Sequence, residues 1–252
     1  MPDRLLLLIV TCAILSSLES IVPLYRFRGS RFSHAMPNVS LTLIVLLLNA
    51  ALASLSARAS GIVVANEIGL LFLVHLPAWA NIGVGIAALD LFAWLAHVAM
   101  HKSTWGWRFH RVHHSEDEVD VTTAFRQHPG ETVWRILWQL FAIAALGIPL
   151  WVVVVYLLIS ALNAQFEHAN VRVPEAIDRV VRLLFVTPGM HKVHHSRDQK
   201  ETDSNYANIF SLWDRLFGTY TDNVDFAALR YGLDGFDEQK TRNLRGLLTM
   251  PF

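Results

Sequence analysis

Apolar residues along this chain fall into long runs, and the polar positions between them mark where each run must end. Leu5 to Val22 and Leu41 to Ala57 are nearly uninterrupted, too long for ordinary core helices and suited to crossing a hydrocarbon layer. Between Ile68 and His101 the pattern is broken by Pro77 and Asn81. The first piece, Ile68 to Leu76, is too short to span and reads as re-entrant or interfacial, whereas Ile82 to His101 can cross. Val133 to Ala164 is split by Gly147 and Pro149 into two arms of marginal length, a helical hairpin that starts and finishes on one side. From Glu167 onward acids and bases are mixed and no long apolar run recurs. This pattern predicts an all-α integral membrane protein with about four transmembrane helices, including the hairpin, and a cytosolic helical cap that carries the histidine motifs.

Basic residues set the orientation. Arg26, Arg28 and Arg31 follow the first run, and Lys102, Arg108 and Arg111 follow Ile82 to His101. The positive-inside bias puts both loops in the cytoplasm, with the N-terminus outside and the second helix running outward to end near Arg58. A secretory signal carries its positive charge before the apolar core, so the first run reads as a retained helix. With Ile68 to Leu76 re-entrant, every histidine-rich segment lies on one face; a spanning segment there would put the early pair outside.

Composition removes several function classes. With 53% hydrophobic and 17% charged residues, and 21 basic side chains against 21 acidic, the 252-residue chain is not disordered, and bulk charge gives no support for a nucleic-acid partner. The single cysteine, Cys12, sits inside the first run, so neither an intramolecular disulfide nor a cysteine-rich zinc module can form.

The histidines are clustered. His97 and His101 lie four residues apart at the end of a predicted helix and share a face. His110, His113 and His114 form HxxHH, and the pattern returns as His191, His194 and His195; His128 and His168 stand singly. Any one of these is most simply a hydrogen-bonded polar residue. Packing alone gives no reason to place eight at helical ligand spacing in so apolar a chain. Imidazole suits zinc, copper, nickel and iron, so residue type does not name the metal. A structural zinc takes about four ligands, and this set suffices for two centres. The Glu-x-x-His signature of carboxylate-bridged iron pairs is absent, which leaves a histidine-rich dimetal site beside the membrane.

The series HVAMH (His97 to His101), HRVHH (His110 to His114) and HKVHH (His191 to His195) resembles the fatty acid hydroxylase and sterol desaturase superfamily of integral membrane di-iron oxygenases. TTAFRQHPGE around His128, FEHANV around His168 and DSNYANIFSLWDRLFGTY from Asp203 to Tyr220 are similar too, so the likeness covers roughly residues 65 to 220. It implies two iron ions that use O2 and two electrons to attack an unactivated C–H bond of a lipid. Matching positions imply His97, His101, His110, His113, His114, His191, His194 and His195 as ligands, with His168 and His128 added from outside the three core motifs. It also divides the chain into N-terminal transmembrane helices (1–64), a catalytic domain (65–220) and a C-terminal tail (221–252).

Neighbouring residues extend the site. Asp90 lies in an apolar helix seven residues before His97 and is expected to accept a ligand N–H. Asn205 and Asn208 match the family's polar positions after the last motif and are expected to orient ligands. HPGE at His128 is similar to a haem loop, but the apolar hairpin that follows does not suit a small soluble haem domain. No Gly-x-Gly-x-x-Gly turn or fused carrier is visible, so electrons are expected from a separate protein of cytochrome b5, ferredoxin or reductase type. Trp105 and Trp107, with Arg108 and Arg111, read as an interfacial belt. His34 and His75 read as structural, and the Asn38-Val39-Ser40 sequon is expected to be inert in the cytoplasm.

Three functions compete. An oxygenase would hydroxylate an acyl or sterol-like lipid entering from the bilayer, or desaturate it on the same irons. A metal-dependent hydrolase with Glu131, Glu116 or Asp117 as base would work without O2 or reductant, but all-imidazole ligation is unusual for it. A metal transporter would carry its ligands near mid-membrane, whereas most of these histidines fall in cytosolic segments.

Overall fold

The long apolar runs become long helices. The structure, a computed structural model, describes residues 2–74, 76–222, 226, 228–236 and 238–252, apart from the side chains of 2, 238 and 239; His75 thus lies outside the described residues. The chain forms α1 (Pro2–Ile21), α2 (Arg31–Ala65), α3 (Leu70–Leu73), α4 (Ala78–Lys102) and α5 (Thr104–His114). A 3-10 turn at Val121–Phe125 leads to α6 (Pro129–Leu146) and α7 (Leu150–His168). Short helices follow: α8 (Glu175–Val181), α9 (Pro188–His194), α10 (Gln199–Thr202), α11 (Leu212–Leu216), α12 (Glu238–Thr241) and α13 (Leu244–Thr249). No strand forms among the described residues; there are isolated bridges from Pro23 to Val171 and from Phe185 to Phe210.

Four segments, Asp3–Ile21, Arg31–Leu73, Ala78–Lys102 and Leu150–His168, are long and apolar enough to cross a membrane. The protein is therefore a multi-pass membrane protein. Expectation and structure differ at α2, which continues past Arg58 to Ala65. Nothing in between interrupts backbone pairing; the helix stops only where Glu67 takes a left-handed φ of 52° and Gly69 follows at 118°. With 35 residues, α2 is about 50 Å long and outruns the ~30 Å hydrocarbon layer, so its first turns stand beside the histidine end.

The hairpin is present as α6 and α7, turning at Gly147 with φ 79°. Only α7 is among the membrane-length helices, since α6 carries Glu131 and Arg135 in its first two turns. Gly69 and Gly147 pack backbone to backbone: a Cβ on Gly69 would fall 2.2 Å from the Gly147 nitrogen, so both positions require glycine. Below that contact Leu89, Ile143, Ile148, Val152, Val153 and Tyr156 form the core between α4, α6 and α7. The segment after Glu167 is more apolar on its surface than expected of a cytosolic cap, because α8 and its exit expose Ile177, Val180, Leu183 and Leu184.

Candidate metal centre

Nine histidines converge on two adjacent points. His97 and His101 at the end of α4, His110 and His114 of α5 and His194 of α9 place ligand nitrogens within 4.8 Å of one another. His113 of α5, His168 at the end of α7, and His191 and His195 of α9 and its C-cap do the same. The two HxxHH motifs split in opposite senses. In α5 the first and third histidines join the first group and the middle one joins the second; in α9 the assignment is reversed. The groups meet through the stacked rings of His114 and His195, whose centroids are 4.8 Å apart.

The nitrogen geometry fits metal ions. His97 Nε2 is 2.9 Å from His110 Nε2, which is 3.2 Å from His114 Nε2. In the second group His168 Nε2 lies 3.0 Å from the Nε2 atoms of both His113 and His191, and 3.2 Å from that of His195. Imidazoles bound at about 2.0–2.1 Å stand roughly 3–3.4 Å apart around one ion. The facing atoms are also of the wrong kind to bond each other. His113 Nδ1 faces the Arg126 carbonyl at 3.2 Å and His168 Nδ1 faces that of Ala164 at 2.7 Å, so each spends its proton there. Two Nε2 lone pairs then oppose each other at 3.0 Å, an arrangement that a cation between them relieves. The buried Nε2 atoms of His101 and His194 likewise find no hydrogen-bond partner among the described residues. Burial, reinforced by neighbouring histidines, holds His114, His191, His194 and His195 well below the ordinary imidazole value and pushes His113 down to about 3. These five rings are therefore neutral and competent as ligands at neutral pH.

Behind the rings of the first group, every Nδ1 has a polar atom within 3.5 Å, though the His110–Glu131 pair is an ion-pair contact and not an aligned hydrogen bond. His97 Nδ1 bonds the Tyr206 carbonyl at 2.6 Å and His194 Nδ1 that of Ser204 at 2.7 Å. Glu131 Oε2 stands 3.1 Å from His110 Nδ1, and Asp203 Oδ1 3.5 Å from His101 Nδ1. The His101 bond, aided by Lys102, holds the Asp203 carboxyl well below its usual range despite partial burial. Thr202 Oγ1 lies 3.4 Å from His114 Nδ1. In the second group Nδ1 of His191 and of His195 is buried without a hydrogen-bond partner among the described residues. The Trp107 ring packs 5.1 Å from His101 and 5.5 Å from His114, so it covers the first group instead of lying in an interfacial belt; Trp105 remains exposed.

Several expected residues sit elsewhere. His128 joins neither group: its Nδ1 accepts from Gly130 N as the cap of α6, its Nε2 faces the Leu248 carbonyl, and its ring stacks on Phe109. Asp90 touches no ligand N–H; it accepts from the backbone of Ile209 and Phe210 and from Trp213 Nε1, at 2.9–3.3 Å. Asn205, at φ 51°, donates to the Met190 and Thr221 carbonyls and accepts from Thr221 N. Asn208 donates to Ser160 Oγ at 2.6 Å, and its carbonyl accepts from Asn163. Asp90 and Asn205 hold backbone, and Asn208 ties its own segment to Ser160 and Asn163 of α7; the same stretch of chain presents the Tyr206 and Ser204 carbonyls to the rings. Asn38 is fully buried in α2, where it donates to Glu116 and accepts from Arg126. The sequon is thus inert because it is buried in a helix. His34 bridges Glu116 and Asp120, in keeping with a structural role.

Sequence reasoning passed over Asp203, Thr202 and Arg126, and weighed Glu131 only as a hydrolytic base. Arg126 and Glu131 lie in or just before HPGE, whereas Thr202 and Asp203 follow the last histidine motif by seven and eight residues.

Comparison with known proteins agrees with this geometry. The chain is 28% identical over 159 residues to ornithine lipid hydroxylase of Rhizobium tropici, covering 63% of this chain and 47% of that one. It is 31% identical over 159 residues to human alkylglycerol monooxygenase, covering 62% and 33%. With the Caenorhabditis elegans alkylglycerol monooxygenase it shares 29% identity over 133 residues, covering 52% and 25%. The chain thus spans a quarter to about half of the length of these relatives. No solved structure matches it. The fatty acid hydroxylase family model matches residues 82–219, a stretch that takes in every histidine of both groups, and this chain belongs to the fatty acid hydroxylase family.

Proposed function

We propose that the protein is a membrane di-iron oxygenase that uses O2 and two electrons to hydroxylate a C–H bond of a fatty acyl or sterol-like lipid. The observation that carries this reading is the pair of adjacent all-imidazole groups whose Nε2 lone pairs face one another. His97, His101, His110, His114 and His194 hold one ion, and His113, His168, His191 and His195 the other. When bound, the iron pair supplies O2-dependent oxidation of an unactivated C–H bond. The chain's own residues do the rest. Carbonyls of Tyr206, Ser204, Arg126 and Ala164 keep a proton on Nδ1 and so leave Nε2 free to bind. Glu131 and Asp203 orient His110 and His101 and raise their donor strength. Asp90 and Asn205 act one step further out, on the backbone, and Asn208 anchors the same segment to Ser160 of α7. Trp107 and the burial of the rings exclude water.

The catalytic unit occupies residues 65–220, between the N-terminal helices and a tail at 221–252. The histidine end faces the cytoplasm, a reading supported by Arg26, Arg28, Arg31, Lys102, Arg108 and Arg111 gathered there. Electrons come from a separate protein, and the lipid reaches the site from the bilayer. The printed activities of the relatives support hydroxylation of a lipid. The test is lipid analysis of cells with and without the gene, grown under 18O2. An alcohol carrying one labelled oxygen, absent from a His194→Ala strain, is the expected result. An alkene without an alcohol, or product formed without O2, overturns the proposal.

A further inference from the structure

Between α1 and α2 the chain turns against the segment that leaves α7, and the three segments enclose an open cavity of about 710 Å3. Its wall is pinned by backbone. Leu24 N donates to the Asn170 carbonyl at 3.2 Å, Tyr25 N to Asn170 Oδ1 at 3.0 Å, and Arg172 N to the Val22 carbonyl at 2.9 Å. Three arginines line it, Arg26, Arg31 and Arg172, against one carboxylate, Glu19. That carboxylate is already committed: it accepts from Val121 N at 2.7 Å and Asn170 N at 2.8 Å, and stands 3.4 Å from Arg31. Arg26 and Arg172 have no carboxylate partner among the described residues, and the Arg172 guanidinium donates to the Leu24 carbonyl at 3.3 Å. Even counting the Glu118 carboxylate, which accepts from Arg28 N and Gly29 N at the rim, the cavity holds an excess of positive charge on a rigid frame.

Its position says which anion it suits. Helices α1 and α7 end here at Ile21 and His168 and α2 begins at Arg31, so the cavity lies at the level where membrane-length helices leave the hydrocarbon. One turn further into the membrane, α1 bears a shallow groove of about 370 Å3 lined by Val10, Ala13, Ile14, Ser17 and Leu18. A charged chamber at head-group depth with an apolar groove beside it matches a lipid better than a free anion. We propose that this cavity binds the head group of a net-anionic membrane lipid, with Arg26 and Arg172 on its charge and an acyl chain along α1. The site lies outside the segment matched by the family model, at residues 82–219 apart from Arg172, and stands whether or not the reaction proposed above is correct.

The test uses the full chain in phosphatidylcholine nanodiscs with phosphatidylglycerol titrated in, and counts retained lipid by mass spectrometry. Wild type is expected to retain phosphatidylglycerol saturably over phosphatidylcholine. Arg26→Gln and Arg172→Gln are expected to weaken retention roughly fivefold each. Arg245→Gln removes an exposed charge from α13, which packs beside the start of α2, and is expected to change nothing. Equal retention of the two lipids, or an equal loss in Arg245→Gln, overturns the proposal. Displacement by millimolar inorganic phosphate also overturns it, by making the ligand a free anion. Metal content read on the same samples keeps this result separate from the oxygenase reading.

Discussion

The two histidine groups share a ligand type and differ in what stands behind the rings. In the first group every Nδ1 faces a partner, and two of those partners are the carboxylates Glu131 and Asp203. In the second, two rings are backed by neutral carbonyls, the buried Glu167 carboxylate comes no closer than 3.8 Å to His168 and His191, and His191 and His195 find no hydrogen-bond partner for Nδ1 among the described residues. A carboxylate behind an imidazole fixes its tautomer and raises its donor strength, so the first position should hold its ion more tightly. Packing reinforces the contrast. Trp107 lies over the first group, whereas the second rests on His168 as a hub within about one ligand edge of three other rings.

The largest effect is expected at that hub. His168→Ala should halve the metal content of the purified protein and reduce lipid product to background; unchanged metal by elemental analysis would break the contrast. Next comes Glu131→Gln, which should weaken retention at the first group by 10- to 100-fold and bring its chelator midpoint down to that of the second. In wild type, graded chelation should remove half of the metal first. Asp203→Asn should do less, under about tenfold, because this carboxylate is partly exposed and shared with Lys102 at 2.8 Å. Asn38→Ala is the smallest and most selective. It removes one hydrogen bond from each of Arg126 and Glu116, which stay paired with each other at 3.5 Å, at a cost of about 1–3 kcal/mol in thermal unfolding, and through the Arg126 carbonyl it should loosen the second group alone.

The helices and the convergence of the histidines were legible in the sequence because each follows from one-dimensional spacing: run length for the first, i, i+3 and i+4 for the second. Partition of the ligands between two centres was not, because HxxHH reads the same whichever side its middle ring faces. That choice is set by how α5 and α9 approach each other. His128 misled because HPGE opens a helix, and a histidine just before proline is well placed to cap it. Asp90 was found by the cost of a carboxylate in an apolar helix. Its partners, the backbone of Ile209 and Phe210 and the Trp213 indole, lie more than a hundred residues away, beyond any local pattern.

The crossed use of the repeated motif has a further consequence. Because α5 and α9 each give rings to both groups, neither group belongs to one stretch of the chain. A protein cut between α7 and α9 would lack His194 from one set and His191 and His195 from the other, so no fragment keeps a complete half. Assembly of the two sets is therefore a single event, which waits for the last of these helices to dock.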